Sequence, residues 1–141
     1  MRRCGECGST EVKLSDILGT QVPYKDYPSV LISKSHDFHR CMKCGNFVFK
    51  SGEPKILDGI ITESITEQVQ LFISLITDRE GCEQQELAKH LGVTPEYLSS
   101  IKNGRIPGFQ TFNFLKTLAF SGHTTFETSR PSFNFLKKTA G

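Results

Sequence analysis

Two short stretches of the chain carry the same chemistry: Cys4-Gly5-Glu6-Cys7-Gly8 and Cys41-Met42-Lys43-Cys44-Gly45. In each, a gap of two residues lets both thiolates of the pair reach one metal ion. The glycine after the second cysteine can take the positive φ that the tight turn needs. Four soft thiolates suit tetrahedral Zn²⁺, with Zn–S at about 2.3 Å. A set of four fills the coordination sphere and leaves no position for water. Cys4, Cys7, Cys41 and Cys44 are therefore expected to hold one structural Zn²⁺ per chain, not a catalytic one. A pair of disulfides is the competing reading. Adjacent-knuckle bridging is poor geometry, and nothing else in the sequence looks secreted. His36 and His39 lie close before Cys41 and could replace a cysteine ligand. With four thiolates available, both are expected on the solvated surface. Cys82 is a lone thiol with no histidine paired to it, and a small buried hydrophobe is the expected role.

The remaining titratable groups offer no second chemistry. A hydrolase needs an open metal site or a nucleophile with a paired base. His36, His39, His90 and His123 have no such company, so no catalytic residue is assigned and the chain is not expected to be an enzyme. Over 141 residues the net charge is only +2. Bulk charge thus makes no case for nucleic acid, although a local basic face can still bind it. The start, Met1-Arg2-Arg3-Cys4, has no apolar signal region, and no stretch approaches the ~18 apolar residues of a membrane span. No membrane partner is expected, and reduced thiols point to the cytoplasm.

The elements that must position the thiols are short. Thr10 to Leu14, Val30 to Ile32 and Asn46 to Lys50 read as strands around the metal. Val22-Pro23-Tyr24 and Tyr27-Pro28 interrupt the middle, so any strand there is at an edge or bulged. Such a segment has little apolar material, and zinc is expected to stabilise it by on the order of 10 kcal/mol. Gly52-Glu53-Pro54 to Gly59 reads as a joint between domains. From Thr62 the period becomes helical. Val69, Phe72, Ile73 and Ile76 form one helix face, ended by Gly81. Glu83 to Leu91 is a second helix with Leu87, Ala88 and Leu91 inward. Thr94-Pro95 starts a third, as N-cap and first-turn proline, with Leu98 and Ile101 inward and Gly104 closing it. Phe109 to Phe120 is a fourth, burying Phe112, Leu115 and Leu118 or Ala119. The fold class is α+β, a small zinc-bound β-rich N-terminal domain followed by an all-α domain. The expected divisions are 1–58, 62–121 and a tail, 122–141. That tail holds Phe126, Phe133, Phe135 and Leu136, and is expected to make dimer contacts or to fold over the fourth helix.

The string from Gln84 to Gly104, QQELAKHLGVTPEYLSSIKNG, resembles the helix-turn-helix of the Cro/lambda-repressor-like (XRE) family, Q-x-x-L-A-x-x-L-G-V-[S/T]-x-x-x-[I/L]-S-x-[I/W]-x-x-G. Ala88 lets the two helices approach, Gly92 makes the turn, and Leu87, Leu98 and Ile101 fill the gap. The resemblance implies that Gln84 reaches a DNA phosphate at a helix N-terminus. It implies that the outward residues of the recognition helix, Glu96, Tyr97, Ser99 and Ser100, following Thr94, meet base edges in the major groove. Lys102, Asn103 and Arg105 are better placed for the phosphate backbone. The recognition helix carries no arginine, and a solvated face is the competing reading.

Two C-x-x-C pairs followed by such a helix-turn-helix resemble the MqsA (YgiT-type) antitoxins in order, length and placement, over residues 1 to about 121. In that family the zinc module neutralises a toxin, commonly a ribonuclease of the MqsR type. The helical half dimerises and represses its own operon at a palindromic operator. The resemblance therefore implies a DNA-binding repressor and antitoxin, with double-stranded operator DNA, a second copy of the chain and a toxin as partners. A stand-alone zinc-containing regulator and a protein-interaction adaptor are the alternatives.

Overall fold

A computed structural model describes residues 3–121. The chain divides into two compact units, Met1–Ile65 and Thr66–Gly141. It is mixed α+β, with four short strands preceding four helices among the described residues.

In the first unit, β1 (Val12–Asp16) pairs antiparallel with β4 (Asp37–Cys41), Val12 opposite Cys41 and Asp16 opposite Asp37. Between them in sequence, β2 (Gln21–Tyr24) and β3 (Tyr27–Leu31) form a separate antiparallel pair. The register slips between Val22 and Tyr24, at Pro23, which has no N–H to give the ladder. The bulge expected from that proline is present. Phe47 supplies only a single bridge to Arg40, and the Val48 N–H donates to the His39 carbonyl at 2.8 Å. The strand expected at 46–50 is reduced to that bridge. The rings of Phe47 and Phe49 stack on each other at 5.2 Å and meet Phe38 edge-on at 5.9 and 5.8 Å. Asp16 ties the end of β1 to the entry of β4. Its carboxylate accepts from the Ser35 hydroxyl at 2.6 Å and from the Leu18 and His36 N–H groups at 3.0 Å. The Ser35 hydroxyl first, then these amides, hold it below the usual carboxylate range.

The joint expected over 52–59 is instead the start of one long helix, α1 (Glu53–Glu80). Pro54 falls in its first turn, where a missing N–H removes no helical bond. The expected edge at 58–62 thus lies inside a continuous helix, and the units part at 65/66. The first unit gains Ile60, Ile61 and Ile65 from α1, buried along with Ile17, Val22, Tyr27, Val30, Ile32 and Phe38. That is more apolar material than residues 1–50 offer alone. Ser64 is buried in this unit, donating to the Ile60 carbonyl at 2.8 Å and accepting from the Ser33 N–H at 3.0 Å.

The second unit holds the rest of α1 with α2 (Gln84–Leu91), α3 (Pro95–Lys102) and α4 (Phe109–Phe120). Val69, Phe72, Ile73 and Ile76 are buried, as are Leu87, Ala88, Leu98, Ile101, Phe112, Leu115, Leu118 and Ala119. The helical periodicity selected these, with Leu118 and Ala119 as alternatives where the structure buries both. Leu91, expected inward, is only half-buried. Gly92 follows α2 at φ 79°, the left-handed geometry that glycine adopts without strain. Thr94 caps α3 by accepting the Tyr97 N–H at 3.0 Å. Two polar side chains of α1 close other helix ends. Arg79 donates to the Leu118 and Ala119 carbonyls at 2.8 and 3.1 Å, and Gln70 to the Lys102 carbonyl at 2.8 Å. These satisfy carbonyls that a helix C-terminus leaves without partners. Cys82 is half-buried rather than buried, because it sits at the connection between α1 and α2. Desolvation, then Glu86 and Glu80, push its thiol up.

No helix among the described residues is long and apolar enough to cross a membrane. The tail expected as a dimer contact or intrachain cover lies outside the described residues.

Candidate metal centre and nucleic-acid interface

The two knuckles have the same backbone. The Gly8 N–H donates to the Cys4 carbonyl at 2.9 Å, and the Gly45 N–H to the Cys41 carbonyl at 2.8 Å. The Cys4 N–H closes on the Ser9 carbonyl and the Cys41 N–H on the Asn46 carbonyl, both at 2.9 Å. Gly8 at φ 74° and Gly45 at φ 82° turn each chain out of the knuckle, as the sequence required. These turns bring Cys4, Cys7, Cys41 and Cys44 together, with all four sulfurs within 4.8 Å of one another. The sulfurs of Cys4 and Cys44, and of Cys7 and Cys41, are 3.5 Å apart. A tetrahedron of sulfurs with metal bonds of about 2.3 Å has edges of about 3.8 Å, so a metal ion fits here after small shifts. Cys4 and Cys41 are buried, whereas Cys7 and Cys44 are exposed. Neither His36 nor His39 belongs to the cluster. Both are half-buried instead of solvated. The ring of His36 lies 4.6 Å from that of Phe38, and Nδ1 of His39 is buried without a hydrogen-bond partner among the described residues.

The local field favours thiolates unequally. The Cys44 N–H, then that of Lys43, lowers Cys41 to about 6. N–H groups of Cys7 and Glu6 lower Cys4. For Cys7 the Ser9 N–H pulls down, but hydrogen bonding to Cys41 and desolvation win, raising it to about 12. The cluster thus favours the thiolate at Cys41 and Cys4 and the thiol at Cys7, as expected when four sulfurs share a small volume.

Two arginines beside the knuckles, not anticipated from the sequence, make contacts to them. Arg3 donates to the Gly8 carbonyl at 2.9 Å, and Arg40 to the Gly45 carbonyl through Nε and Nη2 at 3.1 and 2.9 Å. Each arginine immediately precedes the first cysteine of its knuckle. The repeat is thus R-C-x-x-C-G, and the signal lay in one residue more on the left. Each guanidinium ties down the chain leaving its knuckle, at the carbonyl of the glycine after the second cysteine. Arg40 also lies over the Phe47 ring, 4.5 Å from its centroid.

The residues expected to meet DNA fall on α2, α3 and the loop that follows. Gln84 opens α2 and accepts from Lys102 Nζ at 3.2 Å. Thr94 is occupied as the cap of α3. Glu96 is exposed on its first turn and, with Pro95, Ser99 and Ser100, lines a shallow hollow. The Ser100 hydroxyl donates to the Tyr97 carbonyl at 2.7 Å, and Asn103 Nδ2 to the Ser99 carbonyl at 2.9 Å. Arg105 follows the helix and places its guanidinium 5.1 Å from the Tyr97 ring centroid. The structure thus brings Gln84 to Lys102, Ser99 to Asn103 and Tyr97 to Arg105, and leaves Glu96 in solvent. Compared with family models, with curated proteins and with solved structures, the chain matches none of them.

Proposed function

We propose that the chain is a sequence-specific DNA-binding repressor whose N-terminal unit is folded around one structural Zn²⁺. On this reading α2 and α3 are a helix-turn-helix and α3 enters the major groove. The observation that carries it is the pair of eight-residue helices joined through left-handed Gly92, with Leu87, Ala88, Leu98 and Ile101 buried and a polar outer face left on α3. That is the geometry by which such motifs present a short helix to base edges. The resemblance to the MqsA antitoxins extends the proposal: the protein binds as a dimer to its own operator, and the zinc unit neutralises a partner toxin. Titration of duplex DNA from upstream of its own gene, by fluorescence anisotropy, tests the core of the reading. Binding is expected to exceed that of a random duplex and to weaken steeply with salt. Equal affinity for both duplexes rules it out. Co-expression with the adjacent reading frame tests the antitoxin role, through rescue of growth.

One observation favours a second reading, a protein-interaction adaptor. α3 has no arginine, and several of its outward polar groups hydrogen-bond within the chain. Unchanged DNA affinity on replacing Ser99 and Tyr97 with alanine supports that alternative.

A further inference from the structure

The outer face of α3 is short of groups free to read a base. Lys102 is engaged by Gln84, Asn103 by the carbonyl of Ser99, and the hydroxyl of Ser100 by the carbonyl of Tyr97. Thr94 accepts the Tyr97 N–H. Glu96 can accept but not donate. None of these side chains offers the planar fork of donors that matches guanine, whose major-groove edge presents two acceptors.

Arg105 supplies what is missing. The chain leaves α3 through Gly104 at φ 122°, a backbone open to glycine and strained for other residues. The Arg105 N–H then donates back to the Ser100 carbonyl at 3.0 Å. This return carries the guanidinium from beyond the helix end to the ring of Tyr97, in the first turn of α3. Tyr97 is itself fixed there by the Thr94 cap. Arg105 is exposed, and its guanidinium donates to no protein acceptor among the described residues. A guanidinium over an aromatic ring keeps its planar fork of N–H donors for a second partner.

Resting on the DNA-binding reading above, we propose that Tyr97 and Arg105 form one recognition unit, in which the ring holds the guanidinium that reads O6 and N7 of a guanine. Phosphate oxygens offer the same chemistry to an arginine. Two features favour the base edge. The first turn of a recognition helix is the end that meets bases. The exposed carboxylate of Glu96 stands on that turn and repels a phosphate brought to it. Arg105 is then a specificity residue, not the backbone contact its place after the helix suggests, and Tyr97 is its positioning residue.

The test uses the full, zinc-loaded chain and a randomised duplex library. Selected duplexes are titrated with each G·C pair replaced in turn. The wild type is expected to prefer guanine at one position by about ten- to a hundredfold. Arg105→Ala abolishes that preference with little change in salt slope. Tyr97→Ala abolishes it at the same position, and Tyr97→Phe, which keeps the ring and tests the site without a cavity, retains it. The proposal is overturned if Arg105→Ala weakens all duplexes equally and lowers the salt slope by about one, the mark of a phosphate contact. Retained preference in Tyr97→Ala, or lost preference in Tyr97→Phe, also overturns it. A wild type that selects no sequence instead defeats the DNA-reading function itself.

Discussion

The two units bury apolar side chains of similar kind, yet their backbones are secured in different ways. The helical unit satisfies its peptide groups within each helix, and side chains of α1 close the ends of α3 and α4. The N-terminal unit has two separate two-stranded sheets of four or five residues per strand. Sheets of that size are marginal alone in water. Its connections instead converge on four sulfurs, two of them buried. A tally of buried residues therefore does not reveal which unit stands alone. What does is whether the local structure persists when its cross-link is removed.

Breaking the cross-link gives the largest effect. Cys41→Ser is expected to abolish tight Zn²⁺ binding and unfold the N-terminal unit, a loss on the order of 10 kcal/mol of metal-linked folding free energy. Near-ultraviolet circular dichroism and metal content report it, and a variant with wild-type values of both removes the asymmetry. Leu98→Ala attacks the other side. Leu98 is fully buried between short helices, so truncation should cost about 2–5 kcal/mol in the helical unit. Thermal melting should show this while one Zn²⁺ per chain is retained; loss of metal as well would mean that the units are not independent.

Smaller changes sharpen the comparison at the metal centre. Arg40→Ala removes both donors to the Gly45 carbonyl and should weaken Zn²⁺ affinity by about ten- to a hundredfold. A competition titration that finds no change would make Arg40 surface only. Affinity should also rise with pH. Protons compete with the metal for sulfur, and Cys7, raised to about 12, still holds its proton at neutrality. Cys41, lowered to about 6, has mostly released its own. From pH 7 to 8 the affinity should therefore increase by about tenfold for each proton displaced. Calorimetry in buffers of different ionisation heat should count at least one proton released and fewer than four. An affinity flat across that range contradicts the assigned protonation.

Different parts of this molecule were legible for different reasons. Helix faces were, because Val69, Phe72, Ile73 and Ile76 repeat with the period of one helix. So were the four thiols and the glycines after them, since knuckle spacing is local. The start of α1 was not. Pro54 serves equally as a breaker and as a first-turn residue, and only packing of Ile60, Ile61 and Ile65 into the N-terminal unit decides. The arginine collars were visible as a repeat, but their acceptors are backbone carbonyls, which leave no mark in sequence. Pairing of Tyr97 with Arg105 depends on the turn at Gly104, and strict helical spacing does not anticipate it.

The central asymmetry is tested most directly by segment-resolved hydrogen exchange on the full chain, zinc-loaded and after chelation, with metal counted beforehand. The expected result is one Zn²⁺ per chain, and loss of protection in β1 and β4 on its removal while α2, α3 and α4 stay protected. Absence of bound metal, unchanged exchange in β1 and β4, or simultaneous loss of protection in both units would contradict it.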